Sequence, residues 1–132
     1  MSHPTFHLRC LICGRTYTPT DVAYICPEHG QEGILDVIYD YDALRFQVDR
    51  ETLSVSRDFS IWRYRPLMPI RPDAAAPPLQ VGWTPLYPAP HLGAGLGLAH
   101  VWVKDDGRNP SASFKDRASA LAVVKAQEQG AE

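Results

Sequence analysis

The sequence has no marked excess of charge of either sign. Thirteen Lys and Arg stand against fifteen Asp and Glu, a formal net charge of −2. A strongly basic nucleic-acid footprint is therefore absent, and so is a polybasic membrane surface. No uninterrupted apolar run approaches the roughly 18–20 residues that a membrane span needs. The opening residues, Met1 to His7, hold no basic stretch leading into an apolar one, so a secretory signal is not expected. Cysteine is scarce. Three cysteines are an odd number, which argues against a closed disulfide framework and fits a reducing, cytoplasmic compartment.

What is present fits a soluble globular protein: 45% apolar and 21% charged residues in a chain of 132. That length is about one domain as a prior. Proline complicates this, because eight of the twelve prolines lie between Pro66 and Pro90. Proline removes a backbone donor and fixes φ, so this stretch is expected to be an extended connector over a surface. It divides the chain into a module of residues 1–45, an irregular and Pro-rich connector of 46–90, and a module of 91–132.

The first module reads as short strands: Phe6 to Arg9, Arg15 to Thr18, Val22 to Ile25 and Ile34 to Tyr41. About 40 residues bury too little core to stand unaided, so a staple is expected. Cys10-Leu-Ile-Cys13-Gly14 and Cys26-Pro-Glu-His29-Gly30 supply it. Two close pairs of soft or borderline ligands are the arrangement that tetrahedral zinc uses in structural sites. A glycine after each pair allows the positive φ that such a turn needs. Four protein ligands leave no open position, so the metal would be structural. His3 and His7 are rival fourth ligands, but they lack the knuckle spacing and His29 is preferred. The plainer alternative is that the cysteines are small buried apolar residues and His29 a surface histidine.

The last module reads as strand, turn and helix. His100 to Lys104 is the strand and Asp105 to Pro110 a polar turn. Ser113 is expected to cap a helix from Lys115 to Gln129, with Asp116 at its third position, a face of Ala118, Leu121, Ala122 and the stem of Lys125, and Gly130 as the stop. Gly93-x-Gly-x-Gly97 precedes the strand, so it is read as a helix end or turn, not a phosphate loop. Lys115 lies against the positive end of the helix dipole, where a cation is disfavoured. One reason for such a lysine is an amine meant to be neutral or consumed in a Schiff base. The plainer reading pairs Lys115 with Asp116 or leaves it in water.

Gly82-Trp-Thr-Pro-Leu86 followed by Val103-Lys-Asp-Asp-Gly-Arg-Asn-Pro-Ser-Ala-Ser-Phe-Lys-Asp-Arg117 resembles the threonine synthase family of fold-type II pyridoxal-phosphate enzymes. Ile61-Trp-Arg-Tyr-Arg-Pro66 resembles the stretch that precedes the catalytic domain there, and some members carry an N-terminal zinc-ribbon-like module. The resemblance implies an α/β fold, an incomplete fold-type II domain, preceded by a small β zinc-ribbon-like module. It implies that Lys115 holds pyridoxal 5'-phosphate covalently and later shuttles protons, with Phe114 beside the cofactor. Asn109 and Pro110 would set the turn, Ser111 and Ser113 would orient the lysine or cap the helix, and Asp116 and Arg117 would form a structural ion pair. The implied metal ligands are Cys10, Cys13, Cys26 and His29, holding zinc.

The implied activity is that of a carbon-oxygen lyase acting on phosphates, converting O-phosphohomoserine and water to threonine and phosphate. The implied partners are a small amino-acid substrate and, for the full-length protein, a second copy in a homodimer; neither nucleic acid nor membrane is implied. Two departures stand out: His29 replaces a frequent cysteine, and Ser111-Ala112 replaces a frequent Thr-Gly. Cysteate synthase and threonine ammonia-lyase share the lysine and are the alternative enzymes. A free-standing zinc-ribbon interaction module is the alternative from another class, though it has no need of Ser113-Phe-Lys-Asp-Arg117. The family's glycine-rich phosphate loop does not follow Lys115, so this chain alone is expected to hold the cofactor poorly. Mixed with pyridoxal phosphate and then borohydride, it should give only weak, unselective lysine labelling. Stoichiometric labelling at Lys115 with turnover of phosphohomoserine would overturn that expectation.

Overall fold

A computed structural model describes residues 6–22 and 24–131. They divide into two compact units. One holds residues up to Ser54 together with Pro66–Pro69, and the other holds Val55–Arg65 and residues from Ile70 onward.

The first unit is built on a four-stranded sheet. β1 (Phe6–Cys10) buries Phe6, Leu8 and Cys10 and exposes His7 and Arg9, the period of two that puts alternate side chains on opposite faces. It pairs antiparallel with β2 (Thr16–Tyr17) and with β4 (Gly30–Tyr39). β3 (Ile25–Cys26) pairs with β4 on the far side, giving the order β2-β1-β4-β3. Cys10 lies opposite Leu35 and Cys26 opposite Gly30, so both cysteines are placed by β4.

The strand expected over Val22 to Ile25 is shifted to Ile25–Cys26, and Ala23 lies outside the described residues. β4 starts earlier than expected and stops at Tyr39 instead of Tyr41. It stops because Asp40 caps a helical turn, α1 (Tyr41–Leu44), by accepting from the Ala43 N–H at 3.0 Å. A second helix, α2 (Arg50–Val55), opens on a reciprocal pair. The Thr52 N–H donates to Asp49 Oδ1 at 2.8 Å, and the Asp49 N–H donates to Thr52 Oγ1 at 2.9 Å.

In the second unit the proline-rich stretch is no bare connector. Ile70, Ala74, Val81 and Thr84 within it are buried. It also holds a strand, β5 (Leu86–Pro88), which pairs antiparallel with β6 (Trp102–Lys104). Proline is tolerated there because these are edge strands. Among the described residues β5 is the partner of β6. A 3₁₀ segment, Ile61–Leu67, whose residues up to Arg65 belong to this unit, buries Ile61 and Trp62 and kinks at Tyr64. The Gly-punctuated stretch is a helix, α3 (Pro90–Leu96), with proline in its first turn and Gly97 at its end.

The last helix, α4 (Asp116–Glu128), buries Ala120 and Val124, four residues apart on one face. The expected face of Ala118, Leu121 and Ala122 is wrong. Ala118 and Ala122 are exposed and Leu121 is half-buried. No helix among the described residues is long and apolar enough to cross a membrane.

Two adjacent valines test this packing. Val124 is 1% exposed and Val123 is 47% exposed. In denaturant titrations V124A should lose about 1–3 kcal/mol, and V123A should stay within about 0.5 kcal/mol of the parent.

Candidate metal centre and candidate active site

Two turns of the first unit bring four ligand atoms together. The first turn leaves the end of β1. The Gly14 N–H donates to the Cys10 carbonyl at 3.0 Å, and the Cys10 N–H donates to the Arg15 carbonyl at 3.0 Å. The second turn leaves β3, with the His29 N–H donating to the Cys26 carbonyl at 3.2 Å. Gly14 and Gly30 have φ of 70° and 54°, the left-handed region that glycine enters without strain. The ligand atoms of Cys10, Cys13, Cys26 and His29 all lie within 4.8 Å of one another.

The distances suit a tetrahedral ion. Cys13 Sγ is 4.0 Å from Cys26 Sγ, and His29 Nδ1 is 3.6 Å from Cys26 Sγ and 3.9 Å from Cys10 Sγ. A tetrahedron with zinc–sulfur bonds of about 2.3 Å has sulfurs about 3.8 Å apart. Cys10 and Cys26 are buried, while Cys13 is exposed. The Tyr17 hydroxyl lies 3.2 Å from Cys26 Sγ. That bond, helped by His29 and working against burial, brings the Cys26 thiol down to about 6. The same contact pushes Tyr17 up to about 12.

Gly33 has a part in this centre that sequence reading missed. A Cβ there would lie 2.6 Å from the Cys26 Cβ and 2.8 Å from the His29 Cβ. β4 passes so close behind the second turn that only glycine fits. Of the rival ligands, His7 is exposed on β1 and outside the cluster, and His3 lies outside the described residues.

In the second unit, β6 leads to a 3₁₀ turn, Asp106–Arg108, and then to Asn109, which is 5% exposed. The Asn109 side chain accepts from the Gly82 N–H at 2.9 Å and donates to the Asp106 carbonyl at 2.9 Å. Its own carbonyl accepts from the Ala112 N–H at 2.8 Å. Ala112 has φ of 57°, rare for a residue with a side chain. Lys115 follows at the head of α4, exposed, its Nζ 4.7 Å from the centroid of the Phe114 ring. Phe114 is itself 65% exposed.

The helix begins at Asp116, later than the expected Ser113 cap. Ser113 Oγ accepts from the Lys115 N–H at 3.2 Å within a turn ahead of the helix. Asp116 and Arg117 do not pair with each other. Neighbouring helical residues point about 100° apart, so each finds a separate partner. The Asp116 carboxylate accepts from the Ser111 N–H at 2.8 Å and the Ser111 hydroxyl at 2.5 Å, which lowers its pKa.

Arg117 grips Asp106 with two nitrogens, Nε at 2.9 Å and Nη2 at 2.8 Å, and Nη2 also donates to Thr84 Oγ1 at 3.2 Å. The Thr84 hydroxyl donates to Asp106 at 2.6 Å. Lys104 Nζ donates to the Thr84 carbonyl at 2.5 Å. The Arg117 guanidinium, with Thr84 and Lys104 beside it, holds the Asp106 carboxyl well below the usual carboxylate range.

The left-handed residue three positions before Lys115 generates a prediction. A side chain in this conformation costs about 1–2 kcal/mol, and a β-branched one costs more. A112G should leave the melting temperature equal or higher, and A112V should lower it. A lower melting temperature for A112G would contradict the strain at Ala112.

Residues 78–132 match the family described as pyridoxal-phosphate dependent enzyme. The threonine synthase of Methanocaldococcus jannaschii is 39% identical over 124 residues, covering 94% of this chain and 30% of that protein. The threonine synthase of Methanosarcina acetivorans is 38% identical over 125 residues, covering 95% of this chain and 29% of that protein. Cysteine synthase B of Salmonella typhimurium is 42% identical over 50 residues, covering 38% of this chain and 16% of that protein. The chain thus spans about three tenths of the length of the threonine synthases it matches. No solved structure matches it significantly. Residues 78–132 are similar to the pyridoxal-phosphate dependent enzyme family, and the chain is similar to threonine synthases along nearly its whole length.

Proposed function

We propose that the chain supplies the cofactor lysine and a structural zinc knuckle to an enzyme that converts O-phosphohomoserine and water to threonine and phosphate. The observation that carries this is Lys115, exposed at the head of α4 within the segment that matches the cofactor-dependent family. An exposed amine at a helix start, on a turn tied down by Asn109, is free to reach a carbonyl. The cofactor, when bound, supplies an electron sink that makes a proton next to the amino group removable. Lys115 would hold it through Nζ, and the released Nζ would then take and return protons. The Phe114 ring beside Nζ would shield one side of that amine from water. The setting is cytoplasmic, the partner a small amino acid, and the full-length assembly a homodimer.

The test uses the protein at its full length. The parent should carry cofactor trapped by borohydride at Lys115 and release phosphate from phosphohomoserine. K115A should lose the trapped adduct and at least about 10³-fold in turnover, since the nucleophile itself is gone. Turnover by K115A near the parent rate would overturn the assignment.

The zinc ligands in this reading are Cys10, Cys13, Cys26 and His29. The burial of Cys10 and Cys26 and the spacing of all four fit a closed structural site with no position for substrate. The metal would replace the core that so small a unit lacks. One zinc per chain is expected by elemental analysis. A chelator should lower the melting temperature, and G33A should lose metal at a chelator concentration the parent withstands. G33A holding metal as firmly as the parent would contradict the close approach of β4.

A further inference from the structure

The first turn of α4 carries two cations, Lys115 at the cap and Arg117 two residues later. Both face the positive end of the helix dipole, which disfavours them and frays the turn unless something holds it. Little holds Lys115 itself. Its side chain stands over the Phe114 ring, and its backbone N–H reaches Ser113 Oγ. The direction of its amine is therefore inherited from the backbone of the turn.

That backbone is anchored on both sides of Asp116. Asp116 reaches back to Ser111, only five residues away. Arg117 reaches much further, to Asp106 and to Thr84, which lie eleven and thirty-three residues away in sequence. Thr84 is 6% exposed, so this end of the grip is fixed in packed structure. Gly82 leaves the room for it: a Cβ at that position would lie 3.1 Å from Arg117 Nη1.

We propose that Arg117 is a positioning residue for Lys115: its guanidinium, gripped by Asp106 and Thr84, sets the direction in which the head of α4 presents the Lys115 amine. This rests on the reading of Lys115 as the cofactor lysine. Charge alone does not do it, because a lysine at 117 would keep the charge and lose the two-nitrogen fork.

The chain has three lysines, Lys104, Lys115 and Lys125, so the test is direct. Reductive methylation of the full chain with ¹³C-formaldehyde places one reporter on each amine. In the parent, the Lys115 methyl signal should be displaced by the Phe114 ring. In R117K and in T84V that signal should move by more than half of the displacement toward the position of a free methylated lysine. Lys125, in the last turn of the same helix, should stay in place and reports that α4 is intact. T84S, which keeps the hydroxyl, should restore the parent signal.

A Lys115 signal unmoved in R117K and T84V overturns the proposal. So does a Lys115 signal that moves only together with that of Lys125, which is loss of the helix and not of its aim. No cofactor takes part in this measurement. Failure here leaves the role of Lys115 standing, and failure of the K115A test leaves the Arg117 grip standing.

Discussion

The second unit turns on the bidentate contact between Arg117 and Asp106. Two cations at the positive end of a helix are an electrostatic liability, and two carboxylates offset it. Asp116 stands in the first turn, where an anion is favoured, and it ties the turn to Ser111. Asp106 stands outside the helix and ties it to the strand–turn that precedes it. The contact is partly screened by water, with side-chain exposures of 34% and 23%. Its worth lies less in raw stability than in geometry, since a planar fork on a carboxylate fixes direction as well as distance. Thr84 and Lys104 extend the same network into the proline-rich stretch.

The first unit solves a different problem by other means. Its buried apolar residues are few, and Phe6, Leu8 and Leu44 are the largest of them. In the proposed reading, a metal held by three sulfurs and one imidazole would replace the missing core. The sheet serves that convergence: β1 and β3 deliver one cysteine each, and β4 backs both turns. Tyr17, reaching across from β2, adds a hydroxyl to the most buried sulfur.

Much of this was legible in the sequence because its determinants are local. Cys-x2-Cys-Gly and Cys-x2-His-Gly state their own turn geometry within five residues. The motif around Lys115 likewise states a strand, a turn and a helix in order. What could not be read depends on approach between distant residues. Gly33 looks like an ordinary strand glycine until β4 is placed behind the second knuckle. Asp116 and Arg117 look like a pair because they are adjacent, and adjacency on a helix is what separates them. Ile70, Ala74 and Val81 follow no period, so their burial within a proline-rich stretch left no pattern to find. Ala112 sits in a conformation usually left to glycine, and only its backbone angle reveals this.

The tight passage of β4 also lengthens the signature by which such a centre can be recognised. The second knuckle is not finished at His29. Gly30 reverses the chain, and Gly33 lets the returning strand lie against Cys26 and His29. The pattern that encodes the half-site is therefore Cys-x2-His-Gly-x2-Gly. Its last position is written by steric exclusion, where the first two carry the candidate ligand atoms. A chain with the four ligands but a larger residue at that last place would present the same ligand atoms on a sheet that cannot close behind them.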